Sequence, residues 1–547
     1  MCTGLAVRAP RRAPATRTAS TAAALFVTLS LSLAALAPRP AAAQPADLDK
    51  LIPADALVYV AFDGLTPLQT KVTEFLDAVM PGQGAMTAGM MFMSMQAQPG
   101  MGEIDQSKPI YFSFLSSEKP LFVLPIAKPA DFEALMKTQP GTENMTVLAG
   151  QGYSLVSEGP IDVEALRQGT TPKTPLLNGP IRGFVDTKRL LEKYGQQLDE
   201  TLAMMASMSG EAASENALAF LSALRSSAIR LDFAVTPSKS GLEFAFSTAP
   251  SGDGFLHLIA RSQAPSNAGL DKFLAAIPAD SVMAGSMALP AGAQKSLLPL
   301  LGKSANSAAL RSMFEKMEGL TTNSGAFGLS PGASGFGGFT YAFGLTDAAR
   351  GRSLMNEAWK DPALVSSFSS FIGAGSTMSA DVKPGASAID GVEYDEIRVS
   401  VAAGPDATAE QKKLVETIAK VYADPILVAY PPGAMVFVGG ANGRPRLEQA
   451  LAGYKSGGAT APAVKALPPN QTFAVAVNLA GMMKVAAAAN PEAMQGPAAM
   501  LANLPPGKEY VTMTLVPVGG MAEMRLNLTS GALRELVGPM MGGMGPR

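Results

Sequence analysis

Three short segments carry residue types that do nucleophilic or phosphate chemistry in other settings. Gly328-Leu329-Ser330-Pro331-Gly332 has the G-x-S-x-G spacing. In that pattern the residue after the serine lends its backbone N–H to the oxyanion, and the serine sits between a strand and a helix. Pro331 has no N–H to lend. The only histidine, His257, lies upstream, against the Ser–Asp–His order of that arrangement. The segment therefore reads as a turn between two strands. Ser116-Ser117-Glu118-Lys119 has the S-x-x-K spacing. That chemistry needs a helical turn to bring the lysine onto the serine, and here the segment falls between two strand patterns, just before Pro120. Leu301-Gly302-Lys303-Ser304 ends like a phosphate loop, but Leu297 stands where the first glycine is required.

His257 lies in Phe255–Ala260, which reads as a strand with Phe255, His257 and Ile259 on one face. One imidazole builds no zinc site, so a structural role is expected. The acids Asp390, Glu393, Asp395 and Glu396 follow a turn on a strand pattern without calcium-loop spacing. They read as a charged edge strand, which resists pairing with other chains. A carboxylate pair for glycoside hydrolysis is defined by spatial separation, so this class stays open in the sequence. No cofactor is implied.

Methionine is the unusual residue, at 30 of 547. Met86, Met90 and Met93 fall at i, i+4 and i+7, and Met91 and Met95 form a second i, i+4 pair. Further clusters are Met204-Met205-Met208, Met482-Met483 and Met540-Met541-Met544. Helix packing accounts for such spacing most simply. Thioethers also make adaptable apolar surfaces, and as soft ligands they suit Cu(I). Met86, Met90, Met91, Met93 and Met95 are the candidate apolar surface.

The elements that position these residues begin after a leader. Arg8, Arg11, Arg12 and Arg17 precede an uncharged apolar run, Ala22–Ala37, and Ala41-Ala42-Ala43 follows. This is the pattern of a secretory signal, with cleavage expected after Ala43 and a periplasmic or secreted destination. The run is shorter than a membrane span, and no later stretch is long and apolar enough to be one. The single cysteine is Cys2, so the exported chain is expected to be cysteine-free and stabilised without disulfides. Loss of Arg8, Arg11, Arg12, Arg17 and Arg39 from 43 basic residues, against 45 acids, leaves a net charge of −7. That balance disfavours nucleic acid as a partner. Charged residues are 16% of the chain, against about 25% in ordinary domains, which points to a surface rich in small neutral residues.

The tetrapeptide Ile-Pro-Ala-Asp occurs at Ile52–Asp55 and at Ile277–Asp280, each time before a strand pattern. Gly179–Tyr194 and Pro468–Lys484 are looser relatives. Each start leads into helical patterns, then a hairpin such as Ile229–Val235 with Leu242–Ser247, then a short helix. Such self-similarity is read before any motif. In Ile229–Val235 apolar residues alternate with Arg230 and Asp232, the pattern of a sheet with one face buried. The expected fold is α+β, antiparallel sheets with helices on one face. It is internally duplicated, with four strand–helix–helix–hairpin–helix units in two halves, 44–270 and 271–547. An insertion near 377–422 and a flexible Met/Gly-rich C-terminal tail mark the second half.

The Pro-Ala-Asp strand starts, the strand Pro120–Pro125 (PLFVLP) and the following Pro129–Leu135 (PADFEAL) resemble a group of uncharacterised secreted bacterial proteins. The resemblance spans most of the exported chain and implies no activity. The expected function is non-catalytic binding of an apolar ligand or an envelope protein partner in a groove between the halves. The alternatives are a Met-rich Cu(I)-binding periplasmic protein, an envelope spacer and a carboxylate-dependent hydrolase.

Overall fold

The computed structural model describes most of residues 56–542. Residues 1–55, 163–176, 198–227, 251–253, 264–268, 298–304, 373–375, 490–506, 543–547 and several shorter stretches lie outside the described residues. The expected signal, Ser116–Glu118, Leu301–Ser304 and Met204-Met205-Met208 fall there.

Among the described residues eighteen strands form one antiparallel sheet. In chain order they are β1 (Ala56–Phe62), β2 (Ile110–Leu115), β3 (Pro120–Leu124), β4 (Met145–Ala149), β5 (Ser154–Glu158), β6 (Ile181–Val185), β7 (Ala228–Ser238), β8 (Gly241–Pro250) and β9 (Met283–Ala288). The rest are β10 (Thr321–Gly332), β11 (Gly335–Leu345), β12 (Ser376–Ile389), β13 (Val392–Ala403), β14 (Ile426–Ala429), β15 (Ala434–Gly440), β16 (Phe473–Val477), β17 (Val511–Val518) and β18 (Met521–Thr529). The registers place them side by side as β4-β5-β3-β2-β1-β6-β7-β8 and then β18-β17-β16-β9-β10-β11-β15-β14-β13-β12. The two sets meet where β8 pairs with β18 from Gly241↔Thr529 to Thr248↔Ala522. The hairpin β12–β13, which lies largely within residues 377–422, extends the far edge beyond β14.

Helices lie on both faces, which corrects the expectation of one. Val60, Phe112, Val156 and Ile181 share one face with α1 (Leu65–Val79), α2 (Gly84–Gln96) and α3 (Pro129–Lys137), through Leu68, Phe92 and Phe132. The same face carries α4 (Phe255–Arg261) over Leu515 and Ala522 at the centre. The opposite face of the second set receives α5 (Leu270–Ala275), whose Phe273 packs among Ala284, Ala326 and Ala342. On the first face again, α6 (Ala348–Lys360) and α7 (Pro362–Ile372) put Trp359 and Val365 against Ile426, Val428 and Met435. Then α8 (Gly443–Ser456) returns to the opposite face with Leu447 and Leu451. The strands record this. All of β14 is buried, and β15 has one half-buried residue. Continuous burial of this kind belongs to strands covered on both sides.

The small residues have a geometric reason. A Cβ on Gly285 would stand 2.2 Å from the ring of Phe327, its directly paired neighbour. Gly439 faces Phe339 and Gly183 faces Phe233 in the same way. Each ring lies over the glycine opposite and covers bare backbone, a device that pins register.

Two sequence expectations change in kind. Phe255–Arg261 is a helix rather than a strand, and Ile259 and Ala260 rather than His257 form its buried side. The Gly328–Gly332 segment is the end of strand β10, not a turn. There Ser330 is buried and its hydroxyl donates to Asp280 Oδ1 at 2.8 Å. The expected tail is helical through Gly542 in Ser530–Gly542.

Gly285→Ala should cost about 1–3 kcal/mol, the usual penalty for overpacking a filled site. Urea denaturation should show the loss, with little change in far-UV circular dichroism of the native state.

Candidate functional site

The expected methionine surface lies on α2, and the helix divides it. Met86, Met90 and Met93 are 61%, 52% and 63% exposed, while Met95 is 7% exposed. Met91 packs at the edge of the core cluster formed by Ala88, Phe92 and Met95. The i, i+4, i+7 spacing thus occurs twice. Ala88, Phe92 and Met95 make the inner stripe and Met86, Met90 and Met93 the outer one. An ordinary surface helix presents charged residues outward. Here the sequence holds no charged residue from Ala78 to Gly102.

Local sequence fixes where this helix sits. α1 ends at Val79, and the turn passes through Gly82 at φ +79°. Gly84 then opens α2 so close to α1 that a Cβ would stand 2.2 Å from the backbone of Leu76 and Asp77. Only glycine permits that approach. It seats the inner stripe on the core and turns the outer stripe to solvent. Methionine is unbranched and polarisable, so such a stripe adapts to differently shaped apolar surfaces. Among the described residues the other exposed large apolar side chains are Met513, Val518 and Met524, on β17 and β18. Met482 and Met483 are half-buried in the helix Leu479–Ala489.

The polar chemistry is committed elsewhere. Asp395 is 0% exposed, against the expectation of a solvated edge strand, and β13 is covered by β12. Its Oδ1 accepts from Arg352 Nη2 at 2.6 Å and from the Gly385 N–H at 2.8 Å. Arg352 also donates to Glu393 Oε2 at 2.8 Å. Hydrogen bonding to Asp395, then to Glu393, holds the Arg352 guanidinium charged. Burial, with the Asp395 charge adding to it, pushes the Tyr430 phenol upward. The pair clamps α6 to the β12–β13 hairpin. Two further buried acids are spent in the same manner. Asp232 accepts from Arg230, whose guanidinium stacks 4.1 Å over Phe184, and Glu523 accepts from Arg525 at 2.5 Å. Sequence reasoning set Arg230 and Asp232 on a solvent face. In the structure Asp232 is buried and Arg230 half-buried, paired with each other along β7 rather than solvated. Among the described residues no group of three or more His, Cys, Asp or Glu side chains could hold a metal.

The split of the five methionines has a direct readout. Brief peroxide treatment followed by peptide mass mapping should oxidise Met86, Met90 and Met93 well before Met95, because exposure controls thioether oxidation.

No family model matches the chain, and no curated protein matches it. Among solved structures it is similar to TP0453 in its crystal form III. That likeness is at 9% identity, with a TM-score of 0.20, over 37% of this chain and 80% of the other. At that score it carries no argument about fold or function.

Proposed function

We propose that this chain is an exported, non-catalytic protein that binds an apolar ligand on the outer methionine stripe of α2. The observation that carries the reading is the exposure of Met86, Met90 and Met93 along one helix without a charge on it. Exposed apolar stripes cost solubility and mark binding surfaces. The buried carboxylates Asp232, Asp395 and Glu523 are each held by an arginine, so they serve the fold. Export to the periplasm or beyond follows from the arginine-led apolar run before Ala43.

The frame that carries the stripe is, in this reading, an internal duplication. Its support is the strand order. β4-β5-β3-β2-β1-β6-β7-β8 has the same succession as β14-β15-β11-β10-β9-β16-β17-β18. The Ile-Pro-Ala-Asp repeats precede β1 and β9, the corresponding members. The junction is also two-fold. Ala245 pairs with Arg525, and Leu242↔Leu528 and Thr248↔Ala522 lie three residues to either side. Self-complementary pairing of this kind is how two like units meet.

The test is extraction. Protein recovered from a bacterial envelope should carry an apolar compound into organic solvent, detectable by mass spectrometry. The triple variant Met86→Glu, Met90→Glu, Met93→Glu should fold normally and carry at least ten-fold less. Equal loading of the triple variant, or no compound on either protein, counts against the reading.

A further inference from the structure

The two ends of the sheet differ. At one end β14 is covered by β13, through Tyr394↔Ala429 to Ile397↔Ile426, and β12 lies beyond. The outermost strand there carries Asp381, Lys383 and Pro384, followed by Gly385 at φ +60° and a break in register before Ser387. Charges, proline and irregularity are the devices that keep an edge from pairing. At the other end stands β4, Met145-Thr146-Val147-Leu148-Ala149, with none of them.

The outer side of β4 is open among the described residues. The N–H of Gly150 donates to Tyr153 O, and the N–H of Gly159 donates to Asn144 O. The antiparallel alternation therefore turns Thr146 and Leu148 toward β5 and the backbone of Val147 and Ala149 outward. Val147 joins the core cluster on one face and Leu148 packs against that on the other. A strand added here would meet apolar neighbours on both sides.

We infer that β4 is a docking edge, and that its occupant is β4 of a second copy of this chain, antiparallel, with the two-fold axis through Val147. Two observations select this occupant. The strand in the same succession at the other end, β14, already takes an antiparallel neighbour. The β8–β18 junction shows this sheet joining through strands that pair about a local two-fold. The segment is self-complementary in that arrangement. Val147 faces Val147, Met145 faces Ala149, and Thr146 faces Leu148, without a like-charge contact. The inference goes beyond ligand binding on α2 and survives if that reading fails.

Analytical ultracentrifugation of the chain from Gln44 onward tests it. The mass should rise from one chain to two as concentration increases through the micromolar range. Ala149→Pro removes an outward donor at an exposed position, where an edge strand tolerates proline. That variant should keep its circular dichroism and remain a single chain at every concentration. Thr377→Lys, on the exposed side of β12, should dimerise like the parent. A parent chain that stays single throughout, an Ala149→Pro variant that still dimerises, or loss of association in Thr377→Lys overturns the inference.

Discussion

The pairing of β8 with β18 is the interaction on which the rest of this molecule depends. It joins strands that are 280 residues apart at their central pair, Ala245 and Arg525. Without it each strand set would end on an open edge of nine or ten residues, with unsatisfied N–H and C=O groups along its length. With it, one ladder runs from β4 to β12 and the apolar face continues across the join, from Phe233 through Phe246 and Met524 to Leu515 and Phe473. The opposite face at the join is polar. Asp232 pairs with Ser247 and Ser247 with Glu523, so two buried carboxylates lie with one strand between them. Arg230 and Arg525 answer them. Removing one arginine would leave a buried charge unpaired, which costs about 3–5 kcal/mol.

A sheet of this width must be covered, and the chain covers it with short helices between strands. Where cover is needed on both sides, one face is built from alanine. Ala284, Ala326, Ala342 and Ala429 let α5 and α8 lie close to the backbone. The other face is built from rings seated over glycines. α2 is the helix that does not fit this economy of cover. Its inner stripe packs on the core, and its outer stripe is apolar and exposed. That mismatch between local composition and position is where natural sequences carry function.

Most strands were legible in the sequence because their residues are decisive. The hairpin expected over Ile229–Val235 and Leu242–Ser247 is found as β7 and β8 within a few residues, and the strand expected at Pro120–Pro125 is found as β3. The second covered face was not legible from Ile229–Val235. Its alternation is genuine, but Arg230 and Asp232 neutralise each other under cover, so polarity did not mean water. The uninterrupted apolar run of β1 held the better clue. Asp395 misled in the same way, since its partner Arg352 is 43 residues away. His257 misled because Phe-Leu-His-Leu-Ile-Ala is too short for periodicity to separate helix from strand. For the methionines, spacing gave the row Met86, Met90 and Met93 but neither the inner row Ala88, Phe92 and Met95 nor which row faced outward. Gly84 decides that, through a contact with α1 that sequence alone does not reveal.

Native-state hydrogen exchange along the join tests the central claim most directly. If one ladder spans the molecule, the amides of Leu242–Ser247 and Glu523–Leu528 exchange together and are among the slowest in the chain, because opening them requires separating the two strand sets. Fast exchange of both segments, beside protected amides in β1 and β15, would mean two separate sheets and would contradict the account.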